Sequence, residues 1–400
     1  MQGLPDAVRT PATESLTNKS SNYRPDIQGL RAVAVLLVIA AHAKFSGFEG
    51  GFVGVDIFFV ISGYVITSLL MRQPSRSLLQ NLRTFYIRRI LRIVPAATLV
   101  LVTTVFASFF ILRDYFDETI LDDVRWATFF SANFRLIDVS ADYFMSGAQS
   151  SLITHFWSLA VEEQFYFIFP LIVFALTYVS REETRTKVLQ GFLLAAVAAS
   201  ALWSWHLTPL NQVVAYYSPL TRFWELALGG LVATIPVGLF SRKITAFASL
   251  FSFIGLGISV LLINEQVPFP GVAAWGPCGM AAVLIYTGRA ESRGGPSRWL
   301  ASRPLTYIGD ISYSLYLWHF LWLMLPLQLE FPPEGWYVKP LLIAGAFVCA
   351  MASYHLMENP IRHSRRLTCD GIATAILLVV CLVVSYDSTL IVENLWLNRP

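Results

Sequence analysis

His42 and Arg31 are the residues from which a chemistry can first be read. Both lie in residues 27–45, an otherwise apolar stretch long enough to cross a bilayer. Ionisable side chains are costly at that depth and usually line a site or a cavity. Their spacing of 42 − 31 = 11 positions is about three helical turns, which puts both within roughly 20° of one helix face and about 16 Å apart along the axis. One face of the first membrane helix therefore presents a fixed cation and, further along, an imidazole that can take or give a proton. The alternative is a histidine whose needs are met by a neighbouring helix.

Four other groups could carry chemistry. Arg88, Arg89 and Arg92 sit in the segment RRILRIVP that ends at Pro95. Arg88 and Arg92 share a helical face while Arg89 is turned one position away. Guanidinium forks suit phosphate oxygens, so this segment could hold a phosphorylated donor, or it could simply anchor the chain against anionic lipid. Asp56 follows the glycines Gly50, Gly51 and Gly54 and falls inside a second apolar span, where an acid needs a cationic or imidazole partner. His42 and Arg31 are its nearest candidates along the chain. A carboxylate on one imidazole nitrogen would orient the ring and raise its basicity, whereas the structural alternative is an Asp56 that caps its helix.

His155 and Glu162 lie seven apart, on one helical face, and Glu163 points elsewhere, towards an arginine of another helix. Arg222, Glu225 and His319 complete the polar set as acceptor contacts or as plain helix–helix hydrogen bonds. The arginines gather towards one membrane face, and His42, His155 and His319 gather with carboxylates towards the other. That layout suits a donor arriving from one side and an acceptor from the opposite side.

The elements that position these residues are membrane helices. Apolar residues make up 55% of the chain and charged residues only 14%, against roughly 45–50% and 25% in soluble domains. Eleven apolar runs are expected to span, near 27–45, 52–71, 93–112, 156–179, 189–206, 220–237, 244–263, 272–287, 305–327, 338–357 and 372–390. The fold expected is an all-α polytopic bundle of about ten helices with an eleventh added. Residues 1–25 read as a polar, disordered cytoplasmic tail, 26–366 as the membrane domain, and 367–400 as an additional helix with a short outer tail.

Basic residues set the orientation. With the N-terminus inside, the inner segments collect Arg9, Lys19 and Arg24, then Arg72, Arg76, Arg83 and the cluster at 88–92, and later Arg289, Arg293, Arg298, Arg303, Arg362, Arg365 and Arg366. The outer segments hold far fewer, among them Lys44, Arg125, Arg222 and Lys339. The long outer segment 113–155 is acidic and aromatic and reads as a folded cap. Cys278, Cys349, Cys369 and Cys381 show no metal or disulfide spacing, so no metal is expected. The net charge of +3 is small and nothing suggests a nucleic-acid partner.

Taken in order, the blocks RPDIQGLRAVAV (from Arg24) leading to His42, GVDIFF (Gly54), RRILRIVP (Arg88), WSLAVEEQFY (Trp157), YSLYLWH (Tyr313) and ENPIR (Glu358) resemble the acyltransferase-3 family of membrane acyltransferases. The resemblance runs from about residue 23 to 366 and is nearest to bacterial O-antigen and exopolysaccharide O-acetylases. It implies transfer of an acyl group, usually acetyl, from cytoplasmic acyl-CoA to a hydroxyl of an envelope glycan, in the bacterial inner membrane. By position, His42 would be the catalytic histidine with Arg31 its partner, and Arg88, Arg89 and Arg92 would lie at the donor-binding end. Asp56 and Glu162 or Glu163 would belong to a polar core. Many such O-antigen acetylases carry an outer SGNH-type domain after an eleventh helix. Here residues 391–400 are a stub, so the chain acts alone, needs a separate outer partner, or is a shortened fusion.

On this reading His42, oriented by Asp56, acts as general base on the acceptor hydroxyl, or in a variant forms an acyl-histidine. The rivals are a transporter or flippase for a glycan or lipid intermediate and a catalytically silent membrane homologue.

Overall fold

The computed structural model describes residues 23–72, 78–146, 151–290, 295–329 and 333–399. Most of the expected N-terminal tail, with Arg9 and Lys19, lies outside these residues, as do Arg76 and Arg293. Helices make up the fold, and no strand occurs among the described residues. In order they are α1 (Pro25–His42), α2 (Gly54–Met71), α3 (Leu78–Leu112), α4 (Thr119–Thr128), α5 (Ala132–Ser146), α6 (Phe156–Val179), α7 (Arg185–Leu207), α8 (Gln212–Tyr217) and α9 (Pro219–Thr234). There follow α10 (Arg242–Leu262), α11 (Trp275–Ala290), α12 (Gly295–Leu300), α13 (Arg303–Asp310), α14 (Ser312–Met324), α15 (Val338–Ser353), α16 (Asn359–Arg362), α17 (Arg365–Cys369) and α18 (Gly371–Leu397).

All eleven expected runs lie on helices, but only eight described helices are both long and apolar enough to cross a membrane. The exceptions have local causes. α9 and α11 are 16 residues each, about 24 Å at the usual helical rise, against roughly 30 Å of hydrocarbon. The run at 305–327 is broken at Ile311, where the Ser312 hydroxyl donates to the Gly309 carbonyl and closes the end of α13.

Two boundaries also move. α3 begins fifteen residues before the expected span (93 − 78 = 15), takes in the whole arginine cluster and carries Pro95 inside it. α18 runs through most of the expected tail, to Leu397, because its far end is tied down. Arg125 of α4 bonds Thr389 at 3.0 Å and Glu393 at 2.5 Å. Arg399 donates to the Arg113 carbonyl at 2.9 Å. The described part of the segment expected to be outer is folded, with α4 and α5 forming a cap in which Arg135 lies against Asp123 at 3.1 Å. All four cysteines are unpaired thiols.

α2 is the centre of the bundle: 72% of its most apolar window is buried, against 28% for α10 and for α18, which present bare apolar flanks. α2 and α9 approach backbone to backbone. A Cβ on Gly63 would overlap the Leu226 main chain, and one on Gly229 would overlap that of Val60. Small residues at a crossing are the usual device for close helix packing in a membrane. Here they set Asp56 of α2 beside Arg222 and Glu225 of α9.

Candidate active site

A cavity of about 860 Å³ opens at the end of the bundle where α1 begins. Among the described residues its wall holds seven arginines, Arg24, Arg31, Arg72, Arg88, Arg89, Arg92 and Arg362, against one carboxylate, Glu162. Arg24 is committed to Asp26, at 2.5 Å, and to the Tyr64 hydroxyl. Arg31 donates only to Gln28, at 3.2 Å, which leaves most of its fork facing the cavity. Arg88 and Arg92 have no hydrogen bond or ion pair among the described residues. Arg89, expected to turn away from its neighbours, lines the same cavity and lies over the Tyr166 ring at 4.3 Å. The cavity wraps around α3, and a long side chain offsets one position of helical rotation.

Glu162 accepts hydrogen bonds from the Ser62 and Tyr166 hydroxyls. Ser158, Glu162 and Tyr166 form an i, i+4, i+8 stripe on α6 that faces the cavity. This stripe was readable in the sequence, where Glu162 is more easily paired with His155. The two prove to have different surroundings. His155, at the start of α6, belongs to a cluster with His42 and His319. Glu163 is part-buried, its buried Oε1 lacks a hydrogen-bond partner among the described residues, and the charges facing it are Glu162, Arg89 and Arg92. The arginine ion pair expected for it does not form among the described residues.

The cavity ends at two hydroxyls. Ser158 and Tyr316 lie 2.6 Å apart, and both reach the His155 carbonyl. Just behind them sit the three histidines. His42 Nδ1 is 3.0 Å from His319 Nε2, and His319 Nδ1 is 2.6 Å from the Tyr316 carbonyl. His155 Nε2 is 3.1 Å from the Leu317 carbonyl, and its ring stacks on Phe320. His155 and His319 are buried, whereas His42 retains partial exposure at the end of α1. The three rings come from α1, the start of α6 and α14, and sequence order alone does not bring them together.

Asp56 is not in this cluster. It binds Arg222 Nη1 at 2.8 Å, and the same nitrogen reaches Glu225 at 3.0 Å. Arg222 also donates to the Tyr216 carbonyl and lies against Trp157, Tyr216 and Phe269. Arg222 and Glu225 are 1% and 0% exposed, so neither offers the acceptor-facing surface expected of it. The reason is electrostatic: a membrane acid takes the cation that packing delivers, and the α2–α9 crossing delivers Arg222. Cys278 adjoins this group, its sulfur within 4.8 Å of carboxylate oxygens of Asp56 and Glu225. Arg222 already donates to both acids. Residues that sequence reasoning did not single out, Ser62, Tyr166, Ser158, Tyr316, Arg72 and Arg362, complete the cavity.

A family profile described as an acyltransferase domain matches residues 24–355. The chain is similar to the peptidoglycan O-acetyltransferase OatA of Listeria monocytogenes, with 33% identity over 86% of this chain and 57% of that protein. It is similar to the O-acetyltransferase OatA of Staphylococcus aureus at 32% identity, over 86% of this chain and 58% of that protein. YrhL of Bacillus subtilis matches at 33%, over 85% of this chain and 55% of the relative. The chain thus spans little more than half the length of these relatives. No solved structure matches it. The Listeria relative is named for peptidoglycan, not for the O-antigen or exopolysaccharide that the sequence resemblance favoured. With the family match running across most of its length, the chain belongs to the acyltransferase-3 family.

Proposed function

We propose that the chain is a membrane-embedded O-acetyltransferase that moves an acetyl group from acyl-CoA to a hydroxyl of a cell-envelope glycan. The names of its relatives make peptidoglycan the acceptor to test first. One observation carries the reading. A cavity rich in uncommitted guanidinium groups, fit for the phosphates of a nucleotide thioester, ends at two hydroxyls that adjoin the histidine cluster. Arg31, Arg88, Arg89 and Arg92 would hold the phosphates, and the acyl end would point towards Ser158 and Tyr316.

In the reaction His42 takes the proton of the acceptor hydroxyl as its oxygen attacks the thioester carbonyl. The carbon–sulfur bond breaks, and the departing thiolate takes that proton back from the imidazolium. The products are an ester and a free thiol. The positive-inside bias supports a cytoplasmic position for the arginine-lined end, where the donor would be found, with the α1 C-terminus towards the outer side of a bacterial inner membrane. Family membership in an acyltransferase group supports this reading over a transporter, and the uncommitted cavity arginines beside the clustered histidines support it over a silent homologue.

The test uses the full chain in detergent or nanodiscs with radiolabelled acetyl-CoA and peptidoglycan fragments or O-antigen oligosaccharide as acceptor. Ester label on peptidoglycan, lost with His42→Ala and with Arg92→Ala, is the expected result. Label on neither glycan with a donor that binds would move the search to another acceptor, and a donor that does not bind would overturn the reading.

A further inference from the structure

We propose that His319, acting on the proposed transferase reaction described above, is the residue that fixes the tautomer of His42 and supports its positive charge. Asp56, the carboxylate nearest to that task in sequence, is bound to Arg222 instead. The argument follows from which atoms can donate. The Tyr316 carbonyl can only accept, and it lies 2.6 Å from His319 Nδ1, so that nitrogen carries the hydrogen. In a neutral imidazole the other nitrogen is then bare. That nitrogen, His319 Nε2, lies 3.0 Å from His42 Nδ1. Two bare nitrogens at this distance would repel, so His42 Nδ1 holds a hydrogen and donates it. The free lone pair of His42 is therefore on Nε2.

The same logic fixes His155. Its Nε2 donates to the Leu317 carbonyl, one residue after the carbonyl that fixes His319. The carbonyls of one turn of α14 thus set two of the three rings. Phe320, on the same turn, stacks on His155 and meets the edge of His42 at 5.1 Å.

When His42 takes a proton on Nε2, its Nδ1–H to His319 becomes a charge-assisted hydrogen bond, stronger than the neutral one. His319 is thus a positioning residue that favours the protonated intermediate without touching substrate. The titratable groups facing His42 are His319 of α14 and His155 at the start of α6. Beyond the end of α1, Lys339 of α15 reaches the Lys44 carbonyl.

The experiment compares kcat, KM for acetyl-CoA and the pH profile of kcat for the native chain, His42→Ala, His319→Phe and His319→Gln. Phenylalanine keeps the ring and removes the acceptor, while glutamine keeps an acceptor oxygen. A wrongly held catalytic histidine costs up to about 10⁴-fold in kcat elsewhere. His319→Phe is expected to lose at least about 100-fold on that scale, with KM for acetyl-CoA unchanged within about twofold. Its acid limb should move to lower pH, because the His42 imidazolium has lost its acceptor. His319→Gln should recover most of the rate.

Binding of CoA to the arginine-lined cavity shows whether each variant is folded. If His319→Phe does not accumulate, His319→Leu, which also lacks the acceptor, takes its place, and an unmoved acid limb in that folded variant overturns the assignment. A native chain that does not bind acetyl-CoA would overturn the transferase reading itself, whereas full activity in His42→Ala would remove His42 from the chemistry and with it the role of His319. An inactive His42→Ala beside a fully active His319→Phe with an unmoved profile would overturn only the role of His319.

Discussion

Two arginine environments in this bundle differ in what surrounds the guanidinium. Arg222 is closed on every side, with Asp56 and Glu225 bound, the Tyr216 carbonyl in contact and three aromatic rings against it. Arg31, Arg88 and Arg92 line an open cavity and keep most of their donors uncommitted within the protein. The first arrangement satisfies itself and holds two helices together. The second is complete only when an anion arrives. Residue type is the same in both, so it is the count of partners that separates structure from recognition.

Removing the closed arginine gives the largest expected effect. Arg222→Leu leaves two acids buried without their cation, a change that costs about 3–5 kcal/mol when one partner of a buried pair is deleted. The variant should fail to accumulate, or should melt far below the native chain in a detergent thermal-shift assay. A stable Arg222→Leu protein would break the comparison. Arg92→Ala is expected to do the opposite, keeping native stability. A hydrogen bond to a charged group is worth about 1.5–3 kcal/mol, so CoA affinity should fall roughly 10- to 100-fold, as isothermal titration would show.

Glu162→Gln sharpens the contrast from the other sign. It removes the one carboxylate that, among the described residues, faces seven cavity-lining arginines. With like charges at this range worth about 1 kcal/mol at an intermediate dielectric, CoA binding should tighten by roughly three- to tenfold. Weaker binding in the same titration would mean that Glu162 fixes cavity shape through Ser62 and Tyr166 more than it sets charge.

The smallest effect concerns the cap. Burial pushes the Asp123 carboxyl above the ordinary carboxylate range even with Arg135 beside it. The folded cap therefore keeps a proton that the unfolded segment has released. Its stability is greatest in acid and declines as pH rises from the ordinary value through the raised one. Hydrogen-exchange protection across α4, measured relative to the intrinsic rate at each pH, should fall over that interval in the native chain and stay level in Asp123→Asn.

Part of the candidate site could be read before any coordinates, because that part is one-dimensional; the closed surroundings of Arg222 could not. The His42–Arg31 spacing, the bias of arginines to alternate segments and the ordered blocks are local or serial patterns. What the sequence does not carry is which distant residues meet. Asp56 and Arg222 are 166 positions apart, and His42 and His319 are 277. An acid in a membrane demands a cation, but only the close crossing at Gly63 and Gly229 selects which one. The break at Ile311 was harder to place, since 305–327 reads as one apolar run on average although Gly309, Asp310 and Ser312 stand inside it, and the Ser312 hydroxyl closes α13 on the Gly309 carbonyl.

The seal formed by Ser158, Tyr316 and the His155 carbonyl has an electrical consequence. A charge crossing the whole membrane potential exchanges about 2.3 kcal/mol per 100 mV with the field. Under the proposed reaction the multiply charged nucleotide stays on the arginine side of that seal, and what passes to the acceptor is an uncharged acyl group. The transfer would then perform almost no work against the membrane voltage. A cell could modify its envelope at the same rate whether it is fully energised or nearly depolarised.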